Sequence, residues 1–281
     1  MKWALKIIAK LILARLPISY AFWKSIGIFR HGRMDTAQYP IKIFKLHTER
    51  AFPSGLPAGL TMLELGPGDS IASALLAAAS GAERIYLVDV GNFASRDVQL
   101  YQSLARDMQV SGFKVPDIST ADSLEDILQI CRAEYLTQGL ASLRTIASNS
   151  VDFVWSHSVL EHVRKHEFAD VLQELKRIAK PASMASHNID FQDHLDGALN
   201  NLRFSEGLWE SSFFADSGFY TNRIPAVTMH DMFKQAGYKI EEQDFGKWPA
   251  LPIPRRSIHA SFDHYKSDEL LIRTSHVLLQ V

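Results

Sequence analysis

The sequence predicts an α/β fold: a mostly parallel sheet with helices on both faces. Three observations carry that prediction. Short apolar runs alternate with stretches of helical length across residues 60–190. The first run ends in Gly66-Pro67-Gly68 and leads straight into an alanine-rich stretch. The runs at 60–65 and 151–156 are mainly apolar, as strands buried on both faces are.

The bulk properties agree. A chain of 281 residues suits one large α/β domain with additions. Hydrophobic residues make up 47% and charged residues 22%, the composition of an ordinary globular protein. A formal net charge of -1 leaves no basic footprint for nucleic acid, so no nucleic-acid partner is expected. The single cysteine, Cys131, cannot form an internal disulfide, which fits a reducing, cytoplasmic compartment.

Residues 3–23 are rich in Trp, Leu, Ile and Phe, but Lys6, Lys10 and Arg15 interrupt them and Pro17 breaks the pattern. No uninterrupted apolar stretch approaches the roughly 20 residues of a spanning helix. A secretory signal would keep its charges ahead of the apolar run. On a helix, Lys2, Lys6 and Lys10 share one face, while Trp3, Ile7, Ile8, Leu11 and Ile12 lie mostly on another. Two readings follow. Residues 1–24 anchor the protein peripherally on the inner, anionic face of a membrane, or the helix packs on the main domain or in a homo-oligomer interface. A short helix is expected near 41–49. The loop with Pro53, Gly55, Pro57 and Gly59 then separates an N-terminal helical extension, 1–59, from the main domain, 60–281.

The main domain opens with a strand at 60–65 and a helix at 70–80 that stops at Gly81. A second strand at 84–90 ends in an acid, Asp89. Helices at about 95–110 and 122–133 precede a third strand at 134–137. The fourth strand, 151–156, is followed by a helix near 166–179 that closes at Lys180-Pro181, and a fifth strand covers 182–189. Residues 191–225 lack a strong period and carry many aromatics. A helix at 227–236, a sixth strand at 238–245 and a last strand at 270–281 complete the chain.

A strand that turns through glycines into a helix presents backbone N–H groups and a helix N-terminus to a ligand. A dinucleotide site would have a third glycine for close helix packing, and here that position is Ile71. Asp89 can accept hydrogen bonds from both hydroxyls of a ribose. The ordered motifs Leu63-Glu64-Leu65-Gly66-Pro67-Gly68, Asp89, Val151-Asp152-Phe153-Val154-Trp155-Ser156-His157-Ser158-Val159-Leu160-Glu161-His162-Val163 and Leu175-Lys176-Arg177-Ile178-Ala179-Lys180-Pro181 resemble the class I S-adenosylmethionine (SAM)-dependent methyltransferase superfamily. Within it, the chain is similar to a subgroup associated with surface-polysaccharide biosynthesis. The resemblance implies a Rossmann-like, seven-stranded sheet whose last strand is antiparallel, with a substrate lid inserted after strand five, at about 191–225. It also implies SAM as cofactor, held by Glu64, Gly66, Pro67, Gly68, Ser70, Asp89, Val90, Gly139, Leu140, Ser156 and His157. Gly66 and Gly68 would border the methionine part, Asp89 the ribose, and Ser156-His157 the sulfonium. Many relatives have an aspartate where this chain has Leu140, so the adenine must be read by other groups.

SAM carries its own leaving group, so the protein must align the acceptor and exclude water. A hydroxyl acceptor also calls for a general base. Ligands of open parallel sheets bind beyond the carboxyl ends of the strands, where His187, Asp190, Asp193 and His194 fall within eight residues. His187 is the first choice as base, with Asp190 or Asp193 orienting it. His194 is the second choice, and His157 is a substrate or SAM contact. The acids can equally cap the following turn. The same cluster could bind a divalent cation, but its spacing matches no fixed signature and no metal ligand is assigned. The Leu160-Glu161-His162 part of the fourth motif recurs in relatives with unrelated substrates, so Glu161 and His162 are expected to be architectural.

In the lid, Trp209, Phe213, Phe214, Phe219 and Tyr220 could stack on a ring, and Arg203 and Arg223 could hold an anionic group. Alternatively the aromatics pack the lid onto the sheet. The expected function is methylation of a sugar hydroxyl in polysaccharide or glycolipid synthesis, with a glycan acceptor. The alternative is O- or N-methylation of a small secondary metabolite. A scaffold that binds SAM without catalysis would show a damaged glycine loop, which this chain does not have.

Overall fold

The computed structural model describes residues 2–13, 15 and 36–281. Seven strands form one sheet: β1 (Thr61–Leu65), β2 (Arg84–Val88), β3 (Ala133–Leu136), β4 (Val151–His157), β5 (Ala179–Asp190), β6 (Lys239–Lys247) and β7 (Ile272–Gln280). Their order is β3-β2-β1-β4-β5-β7-β6. The longer helices are α1 (Lys2–Leu13), α2 (Gln38–Ala51), α3 (Ala72–Ala79), α4 (Val98–Val110), α5 (Leu124–Ile130), α6 (Leu140–Thr145), α7 (Phe168–Ile178) and α8 (Ala226–Gln235). Pro17 and the expected apolar stretch beyond Arg15 lie outside the described residues.

β1 is central and parallel to both neighbours, with Met62 opposite Ile85 of β2 and Phe153 of β4. The chain steps outward from β1 to β2 and β3, then returns to β4 on the other side of β1. That reversal opens a crevice at the carboxyl ends of β1 and β4, where open α/β sheets bind ligands. β7 runs antiparallel to β5. Val281 exchanges backbone hydrogen bonds with Ala182 and Ser183 at one end, and Phe191 donates to Arg273 at the other.

The chain forms two compact units, each discontinuous in sequence. The described residues of the first are 36–157, 170–187 and 278–281. Its core is built on Met62, Leu75, Leu76, Ile85, Phe153 and Trp155. The alanine-rich α3 buries Ala72–Ala77 because small side chains let a short helix lie close to the sheet. α2 belongs to this unit: Phe44 meets Trp155 edge-on at 5.9 Å, and just past the helix Phe52 meets Phe153 at 5.3 Å. Local signals set the helix starts. Asp97 caps α4 by accepting from the backbone of Gln99 and Leu100, and Ser123 with Asp126 forms a capping box on α5. Cys131 is buried, and burial pushes its thiol up to about 12, so it stays protonated and inert.

The described residues of the second unit are 2–13, 15, 158–169 and 188–277. Here α1 packs Trp3, Ile7 and Leu11 against Phe204, Trp209, Phe214, Phe219 and Tyr220. The division of its faces differs from the sequence expectation. Lys10, partly buried, donates to the carbonyl of His194 at 3.2 Å and so lies on the packed side, while Lys6 pairs with Asp196 at 3.1 Å at the exposed rim. Leu5, Ile8 and Ile12 form the exposed stripe. Long lysine stems cover apolar surface while their ammonium groups find acceptors, which a two-faced wheel does not anticipate. Among the described residues no helix is long and apolar enough to cross a membrane.

Candidate active site

β1 delivers Glu64, Leu65 and the glycine loop to the crevice. Gly66 and Gly68 adopt φ of 76° and 66°, a region that favours glycine. Gly66 donates its N–H to Val88 at 2.7 Å, which ties the turn to the end of β2. Pro67 occupies the position between the two glycines. Ser70 is buried and accepts the N–H of Ala72 at 3.1 Å, opening α3. Ile71 is fully buried in the core, so a packed side chain fills the place of a third glycine.

Asp89 closes the rim. One carboxylate oxygen accepts the Gly68 N–H at 3.0 Å and the other the Val90 N–H at 2.7 Å. Its carbonyl accepts from Gly139 at 2.8 Å. Gly139 has φ of 52°, and a Cβ there would stand 3.0 Å from Cγ1 of Val90. The ends of β1, β2 and β3 are thereby hydrogen-bonded into one edge carrying Gly66, Gly68, Asp89, Val90, Gly139 and the half-buried Leu140. This edge fits SAM. A carboxylate that accepts only is a partner for a ribose diol, glycines leave the backbone open, and the exposed Val90 offers apolar surface for a purine.

Glu64 sits deeper. It is buried, with Ser73 donating to one oxygen and the Trp155 indole to the other at 3.3 Å. Burial pushes its carboxyl up to about 7, even though both hydrogen bonds favour the ionised form.

A chain of histidines and serines stands at the ends of β4 and β5. Ser156 Oγ lies 2.8 Å from Nδ1 of His187. His187 lies within β5, as it does in the strand expected at 182–189, and it is only 1% exposed, so it does not stand off the strand end as a base. His47 of α2, also buried, places Nδ1 2.8 Å from Ser186 Oγ and Nε2 3.2 Å from Nδ1 of His157. His157 is half-buried, and burial, with Lys42 nearby, lowers it to about 4. The sequence reading missed His47. The signal available was its place on the buried stripe of Pro40, Ile43, Phe44 and His47, at helical spacing.

The remaining candidates lie in the second unit. Asp193 is buried and uses both oxygens on its own loop. Oδ1 accepts from Leu195 (3.1 Å) and Asp196 (2.7 Å), and Oδ2 accepts from the backbone and side chain of Asn200 (2.6 and 3.0 Å). Asp190 likewise accepts from the backbone and side chain of Gln192. Both acids therefore form turns. The His194 ring packs edge-on to His162 with centroids 4.6 Å apart. Leu160-Glu161-His162 is held by residues 220–222: Asn222 donates to the carbonyls of Glu161 and Leu160, and Nδ1 of His162 stands 2.8 Å from the Tyr220 carbonyl. Trp209, Phe214, Phe219 and Tyr220 are buried together, and Phe213 stays half-exposed. The Arg223 side chain is fully buried, paired with Glu206 at 2.7 Å and set between the rings of Trp209 and Phe262. Arg203 donates to Asn200 and lies over Trp3. These groups pack residues 191–225 from within.

Residues 63–186 match a protein family described as Methyltransferase domain. Among solved structures, the chain is similar to a SAM-dependent methyltransferase from Methanosarcina mazei, at 14% identity over 82% of this chain and 95% of that chain, with a TM-score of 0.49. One from Mesorhizobium loti is 14% identical over 85% and 100% of the two chains, with a TM-score of 0.46. Haemonchus contortus phosphoethanolamine N-methyltransferase 2, in complex with SAM, is 12% identical over 85% and 52%, with a TM-score of 0.46. No curated protein matches the sequence.

Proposed function

We propose that this chain, a SAM-dependent methyltransferase of the class I superfamily, methylates a sugar hydroxyl in polysaccharide or glycolipid synthesis. His157 carries the choice of oxygen as acceptor. It ends β4, at the edge where open parallel sheets bind their ligands, and it is half-buried there with its Nδ1 3.2 Å from Nε2 of His47. A hydroxyl must shed its proton as the new bond to oxygen forms, and a neutral imidazole receives it. SAM supplies the methyl group on a sulfonium. The protein's own groups do the rest. Asp89 accepts from the ribose hydroxyls, Gly66 and Gly68 leave room for the methionine part, and Val90 and Leu140 border the purine. His47 holds the His157 ring by its Nδ1, and His187 holds the Ser156 hydroxyl.

The sugar rests on the similarity to the surface-polysaccharide subgroup and on α1. The stripe of Leu5, Ile8 and Ile12 supports peripheral contact with the cytoplasmic membrane face, where lipid-linked glycans are built. One observation favours the second reading, a small secondary metabolite. Trp209, Phe214, Phe219 and Tyr220 are packed inside and do not offer stacking surface to a sugar. Labelled SAM with a panel of nucleotide sugars, lipid-linked glycans and small phenols and amines separates the two. Transfer to a sugar oxygen, slowed at least tenfold by His157→Gln, is expected. Transfer only to amines, or none to any glycan, rejects the sugar reading. Calorimetry with SAM separates both from a scaffold that turns nothing over.

A further inference from the structure

We propose that Glu161, His162 and His194 bind a divalent transition-metal ion. A carboxylate oxygen of Glu161 and one ring nitrogen from each histidine lie within 4.8 Å of one another. Ligands ~2.1 Å from a shared ion stand ~3–4 Å apart, so side-chain rotations of about 1 Å close the set. Two imidazoles and a carboxylate are the ligand class of borderline divalent ions such as Zn2+, Co2+ and Fe2+.

The surroundings prepare each ligand. A carbonyl can only accept, so the 2.8 Å contact between His162 Nδ1 and the Tyr220 carbonyl puts the ring proton on Nδ1. The lone pair is then on Nε2, in the outer-shell arrangement that orients metal-bound histidines. Glu161 is 2% exposed; Oε1 accepts the Asp190 N–H at 3.3 Å, and among the described residues Oε2 has no hydrogen-bond partner. A buried carboxylate oxygen without a donor is costly, and a cation relieves that cost. The backbone on both sides is fixed. Asn222 anchors residues 160–163, while Asp193 orders the turn that carries His194 and Lys10 holds the His194 carbonyl. The exposed side of His162 leaves the ion a route in from solvent and room for water as a further ligand.

Glu161 also borders a cavity of about 30 Å³ with Asn201 and Arg223, room for a single water. A water there gives Oε2 a donor without a cation, and this is the competing explanation. Full-length protein stripped with a chelator and titrated with Co2+ separates the two. The expected result is one equivalent bound per chain, a visible d–d band, displacement by Zn2+ and a raised Tm. His194→Ala should weaken Co2+ binding at least tenfold, while His264→Ala, on an exposed side chain, should bind as the wild type does. His162→Ala is the second variant if His194→Ala does not fold. No stoichiometric uptake of Co2+, or undiminished uptake by a folded His194→Ala or His162→Ala, overturns the proposal.

Discussion

His47 Nε2 and His157 Nδ1 stand 3.2 Å apart, one imidazole hydrogen-bonded to another, with Ser186 Oγ 2.8 Å from the far nitrogen of His47. Such a pair needs a donor on one ring and a lone pair on the other, so it holds only while at least one ring is neutral. Burial, with Lys42 nearby, lowers His157 from 6.5 to about 4. Between those values the unfolded chain binds more protons than the folded one, so stability rises with pH there. The contribution is complete above about 6.5 and is lost as pH falls towards about 4. The wild-type Tm should therefore fall on acidification through this window more steeply than that of His157→Gln, by at most ~1.4 kcal/mol per pH unit. Parallel curves would show that His157 does not titrate as its burial implies.

Glu64 works in the opposite direction. Its carboxyl is raised from 4.5 to about 7, chiefly by burial. Through that interval the folded state keeps a proton that the unfolded chain has released, so stability falls as pH rises. Glu64→Gln stays neutral and keeps an acceptor for Ser73 or Trp155. Its Tm relative to wild type should climb from about pH 4.5 to about pH 7 and level off above that. A flat difference would mean that Glu64 does not change charge in this range.

Asp89 joins the glycine loop to the end of β2 through Gly68 and Val90. Asp89→Asn replaces one accepting oxygen with a donor that faces an N–H and removes the charge a ribose diol would meet. Hydrogen bonds to charged groups contribute ~1.5–3 kcal/mol. SAM affinity measured by calorimetry should fall ~10- to 100-fold. An unchanged dissociation constant would place the ribose contact elsewhere.

Asp193 separates a structural from a catalytic role. Its carboxylate accepts four hydrogen bonds within residues 195–200. Asp193→Ala should destabilise the fold by ~2–4 kcal/mol, visible as a lower urea midpoint. Turnover by the remaining folded protein should stay within a few-fold of wild type. Intact stability with turnover abolished would return Asp193 to the chemistry.

The strands and the cofactor edge were legible in the sequence because both are local patterns. A mainly apolar run marks a strand buried on both faces, and β1, β2, β3 and β4 lie within two residues of where such runs put them. β5 is the exception: Lys180-Pro181 reads as a stop, yet the strand runs from Ala179 to Asp190. Its ends are paired with Val281 and Arg273, about a hundred residues away in the chain, and nothing near Pro181 signals such partners.

Side-chain roles were less legible. The four-residue group His187, Asp190, Asp193 and His194 reads as one polar cluster. The neighbouring strand turns His187 inward against Ser156, while the two acids turn back to serve their own loop. Lys6 and Lys10 of α1 read as part of a solvent face, yet their partners Asp196 and the His194 carbonyl are more than 180 residues away.

By itself the sequence determined the order of strands and helices, the glycine turn at Gly66 and Gly68, and the acid at the end of β2. These follow from periodic burial and from backbone angles that few residues accept. Only the tertiary structure decided that His47 supports His157 across 110 residues of chain, and that Glu161 and His162 meet His194. Such meetings depend on side chains brought together from distant segments, and no local period encodes them.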